Sequence, residues 1–305
     1  MKVKQEVADK RDVREILINN ANIRLSLMGV KSLLAYQIFL FFIFIQTKDS
    51  LSTKGRIHLV FDSLDQLSEE LAEYSFFANK NNRSSIKTAL NALEKAGLIM
   101  STSNKLTKEE MKFYELQRRS VLVLYLDIEN LLDWRPTVQL KDELEYACGE
   151  ERFMEWKNKK FLGSNQNRTL IFDNYLLPII KFLNFYISDK KITLLAYQIA
   201  LYFIFQLKEE DFGNLKGGGK IKFIFDTYCG FLQDILPFIS IFDISEDTVS
   251  DNLNTLHNLG LMRVASVDPE EDDDCIDYRN SRSCLTIELF FDEDHQLTLS
   301  TEFEH

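Results

Sequence analysis

The chain has 305 residues and a net charge of −11, with 45% hydrophobic and 27% charged side chains. These proportions exclude a disordered tail, a collagen or a mucin-like stalk, and the length leads us to expect two domains. Cys148, Cys229, Cys275 and Cys284 form no C-x-x-C pair, and the opening MKVKQEVADKRDVRE has no apolar run, so a reduced, cytoplasmic protein is expected.

In chain order, the first strong signal is LLAYQI at Leu33–Ile38, opening a nearly all-apolar stretch that runs to Gln46. A membrane span needs roughly 20 such residues, so these 14 predict a core helix buried on several faces. A short strand at His58–Phe61 ends in Asp62, a side chain suited to cap the next helix. The spacing of Ile86, Leu90 and Leu93 predicts a helix that stops at Gly97, followed by a β-prone stub at Leu98–Ser101. A polar, irregular stretch at Ser103–Arg119 leads to a strand at Val121–Leu126.

The same order then recurs. LLAYQI returns at Leu194–Ile199, IHLVFD (Ile57–Asp62) matches IKFIFD (Ile221–Asp226), and Ser85–Ile99 matches Thr248–Met262. Within that third block Asn91, Leu93, Gly97 and Leu98 fall on Asn254, Leu256, Gly260 and Leu261, and Arg118–Asp127 falls on Ser281–Asp292. Four blocks in one order, offset by 161 to 165 residues, indicate an internal duplication. Helix, strand, helix, helix, strand, loop, strand is the winged-helix order. The expected fold is therefore mainly α with small β-hairpins (α+β), as two tandem winged-helix domains. Module 1 is placed at 1–134, a polar linker containing Pro136 at 135–163, and module 2 at 164–305. Module 2 begins with an apolar, aromatic stretch, Ile171–Ile187, in which Pro178 starts or kinks a helix.

Charge separates the copies. Residues 1–150 hold 21 basic and 21 acidic side chains, whereas residues 151–305 hold 15 and 26. The window Phe76–Arg119 is net +5, and Ser240–Gln296 is net −12.

Catalytic signals are thin, and no enzyme is expected. His58, His257, His295 and His305 have no metal-ligand spacing, and His257 falls at the place of Glu94, on a surface. The run KGGGK at Lys216–Lys220 precedes a strand and is followed by Ile221, unlike a phosphate-binding loop, and is expected to be a flexible connector. The stretch Asp268–Asp277, with Glu270, Glu271, Asp272, Asp273 and Asp274, lacks the order of a calcium loop and is expected as a solvated wing, with binding of a basic protein partner as the alternative. No cofactor or metal is anticipated.

A winged helix reads DNA with its third helix in the major groove and touches phosphates with its wing. In copy one, assigning Ile86, Leu90 and Leu93 to the core leaves Arg83, Ser84, Lys87, Thr88 and Asn91 facing outward, with Lys80 just before them. Arginine suits guanine and asparagine suits adenine, while Lys105, Lys108, Lys112, Arg118 and Arg119 of the wing suit phosphates. In copy two the helix opens with Glu246, Asp247 and Asp251, which repel phosphate and favour a protein partner or a second copy, as in a homodimer.

Tandem winged helices, each opened by a long apolar helix of the LLAYQI kind, resemble plasmid replication initiator proteins. That resemblance implies one module for dimerisation and one for repeated origin DNA, although here the basic module is the first. The competing expectation is an acidic winged-helix scaffold, similar in outline to the kleisin-associated subunits of bacterial chromosome-organising complexes, that binds no DNA directly. A third is a regulator from a mobile element whose acidic copy mimics DNA.

Overall fold

The computed structural model describes residues 12–46, 51, 55–73, 83–102, 108–113, 122–132, 166–215, 217–239, 244–267 and 284–299. It is mostly helical, with two small antiparallel sheets. The first half contains α1 (Val13–Leu27), α2 (Leu33–Phe44), β1 (Arg56–Phe61), α3 (Leu64–Glu73), α4 (Arg83–Lys95), β2 (Met100–Thr102), α5 (Lys108–Phe113), β3 (Leu122–Asp127) and α6 (Ile128–Leu132). The second contains α7 (Gln166–Ile171), a π-turn (Phe172–Leu176), α8 (Leu177–Ile187), α9 (Leu194–Gln206), α10 (Glu209–Asn214), β4 (Gly219–Phe225), α11 (Tyr228–Ile239), α12 (Glu246–Asn258), β5 (Arg263–Val267), β6 (Cys284–Phe291) and β7 (Leu297–Thr298).

Both sheets place the last long strand in the middle, in the orders β1-β3-β2 and β4-β6-β5. Their registers correspond residue by residue. Tyr125 stands between His58 and Met100, and Glu288 stands between Lys222 and Arg263. The helix ends correspond as well. At Gly97 and Gly260 the chain turns with φ of +64° and +71°, and the amides of Leu98 and Leu261 reach back to the carbonyls of Leu93 and Leu256. That six-residue return is the C-terminal motif a positive-φ glycine permits.

Why α2 and α9 are apolar all round is visible in their surroundings. Residues Ala35–Phe44 and Leu194–Phe205 are all buried. Each helix packs on the glycine-ended helix of its own half (α2 on α4, α9 on α12), and the two touch each other, with Tyr36 and Tyr197 edge-to-face at 5.9 Å. One apolar core therefore runs from Val13 to Leu297 through both halves. Helix α1 crosses over, packing on α11 as well as on α2 and α6. There Asn22 donates to the Phe238 carbonyl at 3.0 Å and accepts from Gln198 Nε2 at 3.2 Å.

A buried ionic cluster closes the same seam. The Arg14 guanidinium lies 3.9 Å over the Phe172 ring, donating to Asp12 at 2.8 Å and to Asp173 at 2.5 Å, and Thr169 donates to Asp12 at 2.8 Å. Arg168 donates to Glu15 at 2.6 Å and to the Phe205 and Leu207 carbonyls. Burial alone would raise the Asp12 carboxyl, but the hydrogen bonds and charge of Arg14, with help from Thr169, outweigh it and hold it below the ordinary value.

Three local expectations are corrected. The caps ahead of α3 and α11 are Ser63 and Thr227, accepting from Gln66 N and Gly230 N, one residue beyond Asp62 and Asp226. Between β2 and β3 the polar stretch holds a short helix, α5. Pro178 stands in the first turn of α8, as one of the two expectations had it; that turn continues from α7 and the π-turn, where Pro178 has no N–H for the Asn174 carbonyl and the widened turn lets the Leu177 amide reach the Phe172 carbonyl. The glycines of KGGGK form a tight crossing, since a Cβ on Gly218 (φ +86°) would stand 3.0 Å from the Phe291 carbonyl oxygen. Residues 167–187 are long and apolar enough to cross a membrane, but Leu176, Ile179, Ile180, Leu183 and Ile187 are buried in the core.

Candidate nucleic-acid interface

Helix α4 is amphipathic for a simple reason. Ile86, Ala89, Leu90 and Leu93 recur at three- and four-residue intervals and are buried, with α2 and α3 the helices packed on α4. The opposite face is exposed and carries Arg83, Ser84, Ser85, Lys87, Thr88, Asn91, Glu94 and Lys95. Thus the sequence-predicted Arg83, Ser84, Lys87, Thr88 and Asn91 do share one solvent face, within the first three turns.

Thr88 and Arg83 are already engaged. Thr88 Oγ1 donates to the Ser84 carbonyl at 2.9 Å, which leaves its oxygen as an acceptor. Arg83 is held by Asp65 of α3: its Nε donates to one carboxylate oxygen at 2.6 Å and its Nη2 to the other. Both partners are exposed, Arg83 at 70% and Asp65 at 50%. The carboxylate raises the guanidinium's affinity for its proton further above its already high value. Asp65 escaped sequence reading because it lies upstream of the basic window and reads as an acidic first-turn residue of α3.

Lys108 and Lys112 are exposed on α5. Lys80, Lys105, Arg118 and Arg119 lie outside the described residues, as do Glu270, Glu271, Asp272, Asp273 and Asp274.

On α12 the face is inverted in charge. Ser245 caps the helix by accepting from Thr248 N at 3.2 Å, and Glu246, Asp247 and Asp251 are exposed just beyond it. By the β-sheet and glycine correspondence these occupy the places of Arg83, Ser84 and Thr88. Acidic groups at a helix start complement its dipole, so the helix itself is stabilised by them.

His257 is not on the surface as expected. It is half-buried, and its Nδ1 accepts from the Val264 amide at 3.0 Å. That bond requires the neutral ring, and burial, with the charge of Arg263, holds its pKa below the ordinary 6.5. Among the described residues no group of three or more His, Cys, Asp and Glu side chains is placed to hold a metal ion.

No protein-family model, no curated protein and no solved structure matches the chain.

Proposed function

We propose that the chain is a tandem winged-helix protein, its halves related by duplication, that binds double-stranded DNA through the first half and a protein partner or a second copy through the second. The observation that carries this reading is the exposed face of α4. Five side chains able to contact phosphate or base edges stand within the first three turns of a helix whose other face is locked into the core. Support for the fold comes from the strand order β1-β3-β2 with two helices, α3 and α4, between β1 and β2, repeated as β4-β6-β5 with α11 and α12 between β4 and β5. The biological setting, a replication initiator or regulator of a plasmid or mobile element, rests on the resemblance of the paired LLAYQI helices alone. No reaction is proposed.

A second reading is favoured by Glu246, Asp247 and Asp251, exposed together at the start of α12. On that reading the chain is an acidic scaffold whose contacts are all with proteins. The two separate in one experiment: binding of a fluorescent random-sequence duplex by the full chain and by Arg83→Glu/Lys87→Glu. The DNA reading requires the double substitution to lower affinity at least tenfold while thermal melting is unchanged. Equal affinity of the two proteins removes α4 from the interface.

A further inference from the structure

We propose that Asp65 positions Arg83 to read a guanine, so that the DNA site of the first half contains a specified G·C pair. This rests on the DNA-binding reading and adds base specificity to it.

Arg83 is the first residue of α4, at the end that meets base edges when such a helix lies in the major groove. A free arginine there has many rotamers and falls as readily on a phosphate as on a base. Here the Nε–Nη2 edge is bound by both oxygens of Asp65, which fixes the plane of the guanidinium. Because that group is planar with its donors in a rigid fork, one Nη1 hydrogen and the second Nη2 hydrogen are directed to the far end, away from the carboxylate. Two parallel donors at that end match the O6 and N7 acceptors that guanine alone pairs in the major groove.

Charge points the same way. The Asp65–Arg83 pair is net neutral, so its attraction for a phosphate is largely cancelled, while its directional hydrogen bonds are retained. Lys87, one turn further on and exposed, keeps the phosphate role. The second half lacks the device, since the register places Cys229 and Glu246 at the positions of Asp65 and Arg83.

The test is selection from a random duplex library by the full chain, by Asp65→Ala and by Arg83→Lys, with thermal melting of each. The parent is expected to enrich one guanine by roughly tenfold or more over other bases, the range a bidentate contact gives. Asp65→Ala is expected to bind random duplex as tightly as the parent, or more tightly, having lost a negative charge. It is also expected to lose most of the guanine preference and to melt with the parent. Arg83→Lys, which has charge but no fork, is expected to lose the preference too. Salt-sensitive binding with no guanine preference, or a preference that survives in Asp65→Ala, overturns the proposal and leaves the DNA reading standing. Absence of any duplex binding by the parent overturns both.

Discussion

Replacing Arg14 with methionine tests the seam between the two halves. The Arg14 side chain is 4% exposed and Asp12 is fully buried, with Arg14 Nε 2.8 Å and Nη2 3.3 Å from the carboxylate. Methionine fills much of the stem's volume over Phe172 but donates nothing. Asp12 then keeps the Thr169 hydroxyl and the residue 14 amide but loses the guanidinium charge. Removing one partner from a buried ion pair costs about 3–5 kcal/mol, whereas the loss at Asp173, which is 47% exposed, adds little. With an m value of about 3 kcal/mol/M, the urea midpoint at pH 7 falls by roughly 1–1.7 M. The pH dependence gives a second check. In the parent Asp12 titrates below its ordinary 3.8, so its stabilisation is present above that pH and is lost as pH falls through its lower folded value. Without Arg14, burial prevails and the carboxyl titrates above 3.8, so the variant's deficit narrows on acidification. A deficit under about 1 kcal/mol, or one independent of pH, would refute the buried clasp.

Four further predictions concern the core and its ends. Tyr197→Phe removes the hydroxyl that donates to the buried Asn184 amide oxygen at 2.6 Å and is expected to cost about 1–3 kcal/mol in urea unfolding. Tyr36→Phe is expected to be neutral within about 1 kcal/mol, because Asn22 faces that hydroxyl but is committed to Phe238 and Gln198, leaving it without a good hydrogen bond; equal costs for the two variants would contradict the asymmetry. His257 has a lowered pKa in the fold, so the stability it contributes is present above 6.5 and declines as pH falls below it; an NMR titration midpoint at or above 6.5 would exclude the Val264 contact. Gly97→Ala forces a side chain into φ +64°, with its Cβ 2.7 Å from Arg24 Nη2, and is expected to cost about 1–2 kcal/mol, measured by thermal melting.

Periodicity and repetition made much of the fold legible. Both glycine stops lie where the sequence places them, because a helix that must end before a strand needs a positive φ and only glycine enters it without strain. The central helices read as core because nothing polar but Gln and Tyr interrupts them. What that pattern could not show is that both helices are covered by the opposite half as well as their own. The clasp was invisible for the same reason: Arg14 and Asp173 are separated by 159 residues, and each reads as an ordinary charge near a helix end. The caps were missed by one position, since Asp and the following Ser or Thr are equally able acceptors and the backbone decides between them. Of the candidate interface, the outward face of α4 followed from helical spacing, whereas Asp65 did not, because its contact with Arg83 depends on how α3 and α4 pack.

Duplex affinity of the full chain across a salt series tests the central claim most directly. The full chain is the right material, since the core is shared by both halves. The account predicts binding of random duplex whose log K falls steeply and linearly with log salt, at about −0.9 per phosphate contacted, with Lys87→Glu making the slope shallower by about one unit. No binding at low salt, or a slope that Lys87→Glu leaves unchanged, would contradict it.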